Sequence, residues 1–283
     1  MNQLTSLKPI NYLMIGHVTA DIQRDKSIKL GGTASFSGLT AHQLGHQVGV
    51  VTSCGKDLDL TALDALQILN QNQTVSTSFE NISTPEGRIQ FCYSQAPLLT
   101  SSDIPSLWRQ APIVHLGPII SEISADLFDF FPDSLICLTP QGMLRSVDQG
   151  GKVSFSDWLE KETLLPKAHA VVLSFEDLQS DERLIEEFAG LCKLLVVTEN
   201  REGARVYWKN DVRNFKAPQR DLVDDTGAGD IFAACFFHRL YATRDPWEAA
   251  RFAVELAANS VTRRYTESMP TPTEIELAKI QIV

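Results

Sequence analysis

The chain has 283 residues, 43% of them hydrophobic, with 25 Lys+Arg against 35 Asp+Glu and a formal net charge of −10. So much apolar side chain can bury a core, which argues against a disordered chain, and the length suits one large α/β domain. The acidic balance argues against nucleic-acid partners, whose phosphate backbones need a positive field, but allows a small anion held by local groups.

Short apolar runs alternate with amphipathic stretches almost throughout. Strands are predicted at Tyr12 to Ile15, Val48 to Thr52, Ile113 to Leu116, Leu135 to Leu138, Ala170 to Leu173 and Leu194 to Thr198. Helices are predicted at Thr33 to Leu44, Leu60 to Leu69, Ser124 to Phe130, Trp158 to Leu164 and Asp181 to Leu191. Three more close the chain, at Ala228 to Tyr241, Pro246 to Arg264 and Thr273 to Ile280. Ala204 to Trp208 and Val212 to Ala217 read as an antiparallel pair turning at Lys209-Asn210-Asp211. Apolar strands between helices predict a mostly parallel sheet covered on both faces, an α/β/α body in three layers. With no linker or repeat, residues 1–283 read as a single domain. Parts of 17–30 and 82–95 would add a small β lid, reduced in size because only nine residues separate Asp21 from Gly31.

No run approaches the ~18 apolar residues of a membrane helix, and Met1 to Ile10 lacks the apolar core of a secretory signal. The five cysteines are scattered, with no C-x-x-C spacing, so buried reduced thiols in a cytoplasmic protein are expected. Asp225-Thr226-Gly227 spells an aspartic-protease triplet, but it occurs once and that chemistry needs two carboxylates sharing a proton. Gly49 to Asp57 imitates a phosphate-binding loop, yet it has one residue too many and an Asp where the metal-binding hydroxyl belongs. His115, in an apolar run, reads as a satisfied core residue.

The segment Val223-Asp224-Asp225-Thr226-Gly227-Ala228-Gly229-Asp230-Ile231-Phe232 carries the chemistry. A turn almost without side chains leads into an apolar helix. Its N–H groups would lie at a helix N-terminus, where free donors and the macrodipole favour an anion. Asp230, in the first turn, could take a proton from a substrate hydroxyl. Capping alone would explain one acid there, but not the whole pattern.

This segment resembles the C-terminal signature of the ribokinase-like (PfkB) carbohydrate kinases. The resemblance makes Asp230 the catalytic base and Gly227, Ala228 and Gly229 the anion hole. It puts a monovalent-cation site beside Asp224, although Asp225 stands where Thr or Ser is usual. Gly31-Gly32-Thr33-Ala34-Ser35-Phe36 resembles the family's N-terminal glycine pair, and Gly16 to Asp21 its substrate-binding stretch. Asp21, Gly31 and Gly32 would therefore hold substrate hydroxyls. Phe36 replaces a frequent Asn. Leu138 to Arg145, with its Q-G-x-x-R form, is similar to the inositol-kinase-like branch and adds Arg145 as a substrate ligand. Ser174-Phe175-Glu176-Asp177 stands where the family places Mg²⁺, making Asp177 a metal helper acting through water. Thr198 to Ala204 resembles the turn beneath the nucleotide, giving Thr198, Asn200 and Gly203, with Asn259 at the adenine pocket. Asn200 replaces a glycine and can take its positive φ.

The resemblance implies ATP and Mg²⁺ as cofactors and a sugar, inositol-like polyol or nucleoside as substrate. It also admits a homodimer formed through the lid. A nucleoside kinase and a non-catalytic sugar- or nucleotide-binding regulator are the alternatives.

Overall fold

The computed structural model describes the backbone of residues 7–71, 74–84 and 87–280, and the side chains of all of these except 83, 84, 87 and 88. Its centre is a nine-stranded sheet. In chain order the strands are β1 (Tyr12–Ile15), β2 (Thr19–Ile22), β3 (Ile28–Gly31), β4 (Val48–Thr52), β5 (Gln67–Asn70), β6 (Thr77–Thr84), β7 (Gly87–Ser94), β8 (Ile113–Leu116), β9 (Leu135–Leu138), β10 (Arg145–Val147), β11 (Val153–Phe155), β12 (Ala170–Ser174), β13 (Leu194–Thr198), β14 (Ala204–Trp208) and β15 (Asp211–Phe215). The helices are α1 (Thr33–Gln43), α2 (Lys161–Leu164), α3 (Glu182–Leu191), α4 (Ala228–Thr243), α5 (Pro246–Ser260) and α6 (Pro272–Lys279).

The sheet runs β15-β14-β13-β12-β9-β8-β1-β4-β5, parallel except for the hairpin β14–β15 at one edge. Successive side chains of β1 go to opposite faces, as the strand period requires. Tyr12 and Met14 join a core with α1, α4, α5 and α6, whereas Leu13 and Ile15 join a second core with Trp108, Phe128, Leu164 and Phe188. This is the predicted three-layer arrangement. The middle of β1 and β8 is fully buried, and His115 sits there between Tyr12 Oη and Thr139 Oγ1, each at 3.0 Å.

Three predicted helices fall short. Leu60 to Leu69 holds a three-residue 3-10 turn, Thr61–Leu63, and then β5, because Gln67–Asn70 pairs in parallel with Gly49–Thr52. Ser124 to Phe130 holds only the 3-10 turn Ala125–Phe128; Pro132 follows shortly and forces the preceding residue out of helical geometry. Trp158 to Leu164 gives the single turn α2, which Pro166 stops.

The lid is a four-stranded sheet of order β3-β2-β6-β7. The short 22–30 connection alone implies a reduced flap, but the eight-residue β6 and β7 extend it. Residues 85 and 86, within the expected 82–95 segment, lie outside the described residues.

At Gly203, φ is +102° and a Cβ would run into the Phe215 carbonyl. Gly190 of α3 has φ in the ordinary range and open space around it. Gly203→Ala should therefore cost about 1–3 kcal/mol in urea unfolding, whereas Gly190→Ala should gain about 0.5–1 kcal/mol by its helix propensity. Equal effects would contradict this account of the β13–β14 turn.

Candidate active site

A cleft of about 1640 Å³ opens at the carboxyl ends of β9, β12 and β13, beneath the lid. In doubly wound sheets this is where ligands bind. One half is walled by Asp21, Lys29, Phe36, Asn81, Gln90 and Tyr265, the other by Asp177, Thr198, Asn200, Gly203, Ala257 and Ala258. Arg145, Gly227, Ala228, Gly229 and Asp230 also line it.

The turn into α4 is built on a contact. Gly227 is the N-cap residue with φ +78°, and a Cβ there would strike the ring of Phe36. Only glycine fits both demands. Ser37 Oγ donates to the Asp230 carbonyl at 3.0 Å, so the start of α1 grips the start of α4. Asp230 occupies the third helical position of α4. Its carboxyl is held up at about 6, chiefly by burial and further by the charges of Asp177 and Asp21; a hydrogen bond from the Thr33 hydroxyl and the charge of Arg145 act against this. Of the three expected anion-hole residues, Ala228 uses its N–H on the Asp225 carbonyl at 3.1 Å. The N–H groups of Gly227 and Gly229 have no hydrogen-bond partner among the described residues. The hole therefore offers two of the three expected donors.

Asp21 leaves β2 over Gly31, where a Cβ would collide with its carboxylate, and its Oδ1 accepts from Thr19 Oγ1 at 3.0 Å. Gly32 caps α1 with φ +86°. Gly32 borders the cleft; Gly31 lies behind Asp21 and does not. Arg145 begins β10 and donates through Nη1 to the Ile119 carbonyl at 3.1 Å.

In the other half, Asn200 takes φ +50°, as expected for an Asn in a glycine's place, and its Nδ2 donates to Glu176 Oε1 at 2.9 Å. Thr198 stands at the end of β13. Asp177 closes a capping box with Ser174 and accepts from Gln141 Nε2 at 3.0 Å. Asn259 does not border the cleft; its Oδ1 accepts from Arg220 Nε at 2.7 Å. Asp224 is also set back, its Oδ1 accepting from the Thr226 N–H at 3.0 Å. Among the described residues no group of three or more His, Cys, Asp or Glu could hold a metal. Two neighbouring carboxylates, Glu176 and Asp177, suit an ion such as Mg²⁺ that arrives on phosphates and keeps its waters.

Sequence reasoning missed Thr33, Gln141, Asn81, Gln90 and Tyr265. Tyr265 carries φ +52°, lies 6.1 Å from the Phe36 ring and has Lys29 Nζ 4.0 Å above it. A positive φ on an aromatic residue is a mark of strain at a functional place, but nothing in its local sequence announces it.

No helix among the described residues is long and apolar enough to cross a membrane. Residues 161–274 match the model of the pfkB family carbohydrate kinases. The chain is similar to a cytidine kinase of Thermococcus kodakarensis, 23% identical over 88% of this chain and 95% of the relative. It is also similar to a fructokinase of Escherichia coli, 26% identical over 76% and 73%. A pyrophosphate-dependent kinase in the ribokinase family, solved with a pyrophosphate analog and myo-inositol, shares the fold with a TM-score of 0.78 at 21% identity, over 94% of this chain and 99% of that one. Residues 161–274 thus carry the match to a pfkB family carbohydrate kinase domain, on a ribokinase-like fold; kinases of that family are phosphotransferases with an alcohol group as acceptor.

Proposed function

We propose that this chain is an ATP-dependent kinase that phosphorylates a hydroxyl of a small polyhydroxylated substrate, a sugar or inositol-like polyol, in the cytoplasm. The observation that carries the reading is the placing of Asp230 in the first turn of α4, between the two halves of the cleft. Asp21 holds substrate hydroxyls from the lid side, with Gly32 leaving room at the start of α1. Arg145 completes the acceptor half. The reacting hydroxyl gives its proton to the Asp230 carboxylate as its oxygen bonds to the γ-phosphorus. The bond from that phosphorus to the β–γ bridging oxygen breaks, and ADP leaves. The Gly227 and Gly229 N–H groups donate to the transferring phosphoryl. Thr198, Asn200 and Gly203 form the wall against which the nucleotide lies. Asp177, with Glu176, would hold Mg²⁺ through water, and the ion supplies positive charge against the phosphates. The homodimer that the resemblance admits would meet through the lid, where Ile28, Ile82 and Tyr93 are exposed.

A nucleoside acceptor is the second reading. It is favoured by the aromatic pair Phe36 and Tyr265 on the acceptor side, which could stack a base, and by the similarity to a cytidine kinase. A non-catalytic regulator is disfavoured by the intact Asp230 and its raised pKa, since a binding module has no use for a tuned base.

ADP release from Mg·ATP is to be followed over a panel of sugars, inositols and nucleosides, with pyrophosphate as a second donor. One class should turn over, and Asp230→Asn should cut kcat by about 10²–10⁴-fold with the fold unchanged; turnover equal to the native chain in that variant sinks the proposal. The kcat/KM profile should rise with pH through about 6, as Asp230 ionises. A flat profile from pH 5 to 8 contradicts a base of that pKa.

Stability should move the other way. The folded state binds the Asp230 proton more tightly than the unfolded chain, so ionisation destabilises the fold as pH rises from the ordinary carboxylate value to about 6. Asp230→Asn should thus raise Tm at pH 8, and the gain should vanish near pH 4. Thermal melts at the two pH values check this; a loss of Tm at pH 8 would overturn it.

A further inference from the structure

Behind the cleft lies a buried carboxylate that the mechanism does not use. Glu122 is fully buried at the end of the loop that follows β8. Its Oε1 accepts from the His17 N–H at 3.1 Å and the Ile119 N–H at 2.9 Å, and its Oε2 from Ile119 at 2.8 Å and Ile120 at 2.7 Å. Replacing a group that accepts from three backbone donors in the interior leaves those donors unsatisfied.

Each of these donors belongs to a part that the site needs. His17 is the junction between the central sheet and the lid; its side chain reaches Thr77 Oγ1 at 2.8 Å and the Pro97 carbonyl at 3.0 Å. Ile119 presents its carbonyl to Arg145 Nη1. The same loop is zipped to the segment carrying Gln141 and Arg145 by Gly142 N–H to the Pro118 carbonyl at 3.0 Å and Ser121 Oγ to the Gly142 carbonyl at 3.0 Å. At Gly142 a Cβ would collide with the Ile119 and Ile120 nitrogens, so the two segments are in close contact. From that segment Gln141 reaches Asp177 and Arg145 bears on Asp230.

We propose that Glu122 is a positioning residue for phosphoryl transfer: by holding the 118–121 loop it fixes Arg145 beside Asp230 and Gln141 on Asp177, and ties both to the root of the lid. The proposal rests on the kinase reading above. Glu122 touches neither substrate nor the reacting atoms. Its effect on Asp230 passes through Arg145. The other charged groups bearing on Asp230 are Asp177 from the segment after β12 and Asp21 from β2, with the Thr33 hydroxyl from α1.

The test is Glu122→Gln, which keeps the shape but turns one acceptor into a donor facing backbone N–H groups. The expected result is a kcat lower by about 10²-fold, as a misplacement of the order of 1 Å produces, with a much smaller change in KM for the acceptor. The acid limb of the kcat profile should shift to higher pH, because Arg145 no longer favours the ionised Asp230. Glu122→Asp should recover part of both effects. In an Arg145→Met background the Glu122→Gln shift of the limb should largely disappear, since the route is already cut. A native limb and kcat in Glu122→Gln, or a limb shift that persists undiminished without Arg145, overturns the proposal. Should Glu122→Gln fail to fold, Gln95→Ala removes the tether from Gln95 Nε2 to the Ile120 carbonyl, 2.8 Å; a smaller upward shift of the limb is expected, and an unmoved limb overturns the proposal. If Asp230→Asn is inactive while Glu122→Gln is native, only the Glu122 role falls; if the native chain has no turnover on any acceptor, the kinase reading falls with it.

Discussion

A half-buried carboxylate in the first turn of α4 is the constraint around which the rest of the site is arranged. Ionising Asp230 there is costly, because burial and the charges of Asp177 and Asp21 oppose it. The Thr33 hydroxyl and Arg145 offset part of that cost. What results is a carboxyl with a pKa of about 6, near the range in which a base both holds its charge and takes a proton readily. The turn that delivers it depends on Gly227, whose missing Cβ admits the Phe36 ring and whose left-handed φ lets α4 start there.

The sheet supplies what a single helix end cannot. Parallel strands bring Thr139, Ser174 and Thr198 to one end of the molecule, so that segments far apart in the chain meet in one cleft. Parallel pairing leaves both faces of the sheet to be covered, which the two cores do. The acceptor side is then closed by the four-stranded lid. The lid grows from the same strand edge as Gly32, so its root and the start of α1 share the Gly31–Gly32 turn. Rigid parts therefore surround Asp230, and Glu122 ties two of them, the His17 junction and the 118–121 loop, together through backbone donors.

The fold was legible where period and punctuation agreed. β1, β4, β8, β9, β12 and β13 are short apolar runs between polar breaks, α4 and α5 are long and apolar, and Asp245 caps α5. The helix expected at Leu60 to Leu69 was not legible, because β5 pairs in parallel with β4 across residues 53 to 66, which no local pattern announces. Two other helices are shortened ahead of Pro132 and Pro166, a breaker signal that the apolar pattern by itself overlooks. In the site, Asp230, Gly227 and Asn200 could be read because each answers a local demand: a helix start, a left-handed φ, a tight turn. Asp224 and Asn259 show the limit of reading by spacing, since both sit at the expected places but point to neighbours in the protein, Thr226 and Arg220. Thr33 and Gln141 lie inside stretches that could be read, but their contacts with Asp230 and Asp177 run across many residues of sequence, and nothing near Glu122 in the chain marks its contacts.

The account stands on the ionisation of one side chain, and this can be observed without any substrate. Carbon-13 chemical shifts of the aspartate carboxyls, followed over pH in the intact protein and assigned by comparison with Asp230→Asn, report it directly. The account predicts one resonance, missing in the variant, with a midpoint at about 6. An Asp230 resonance that titrates at about 4, the ordinary value of an aspartate, would contradict it.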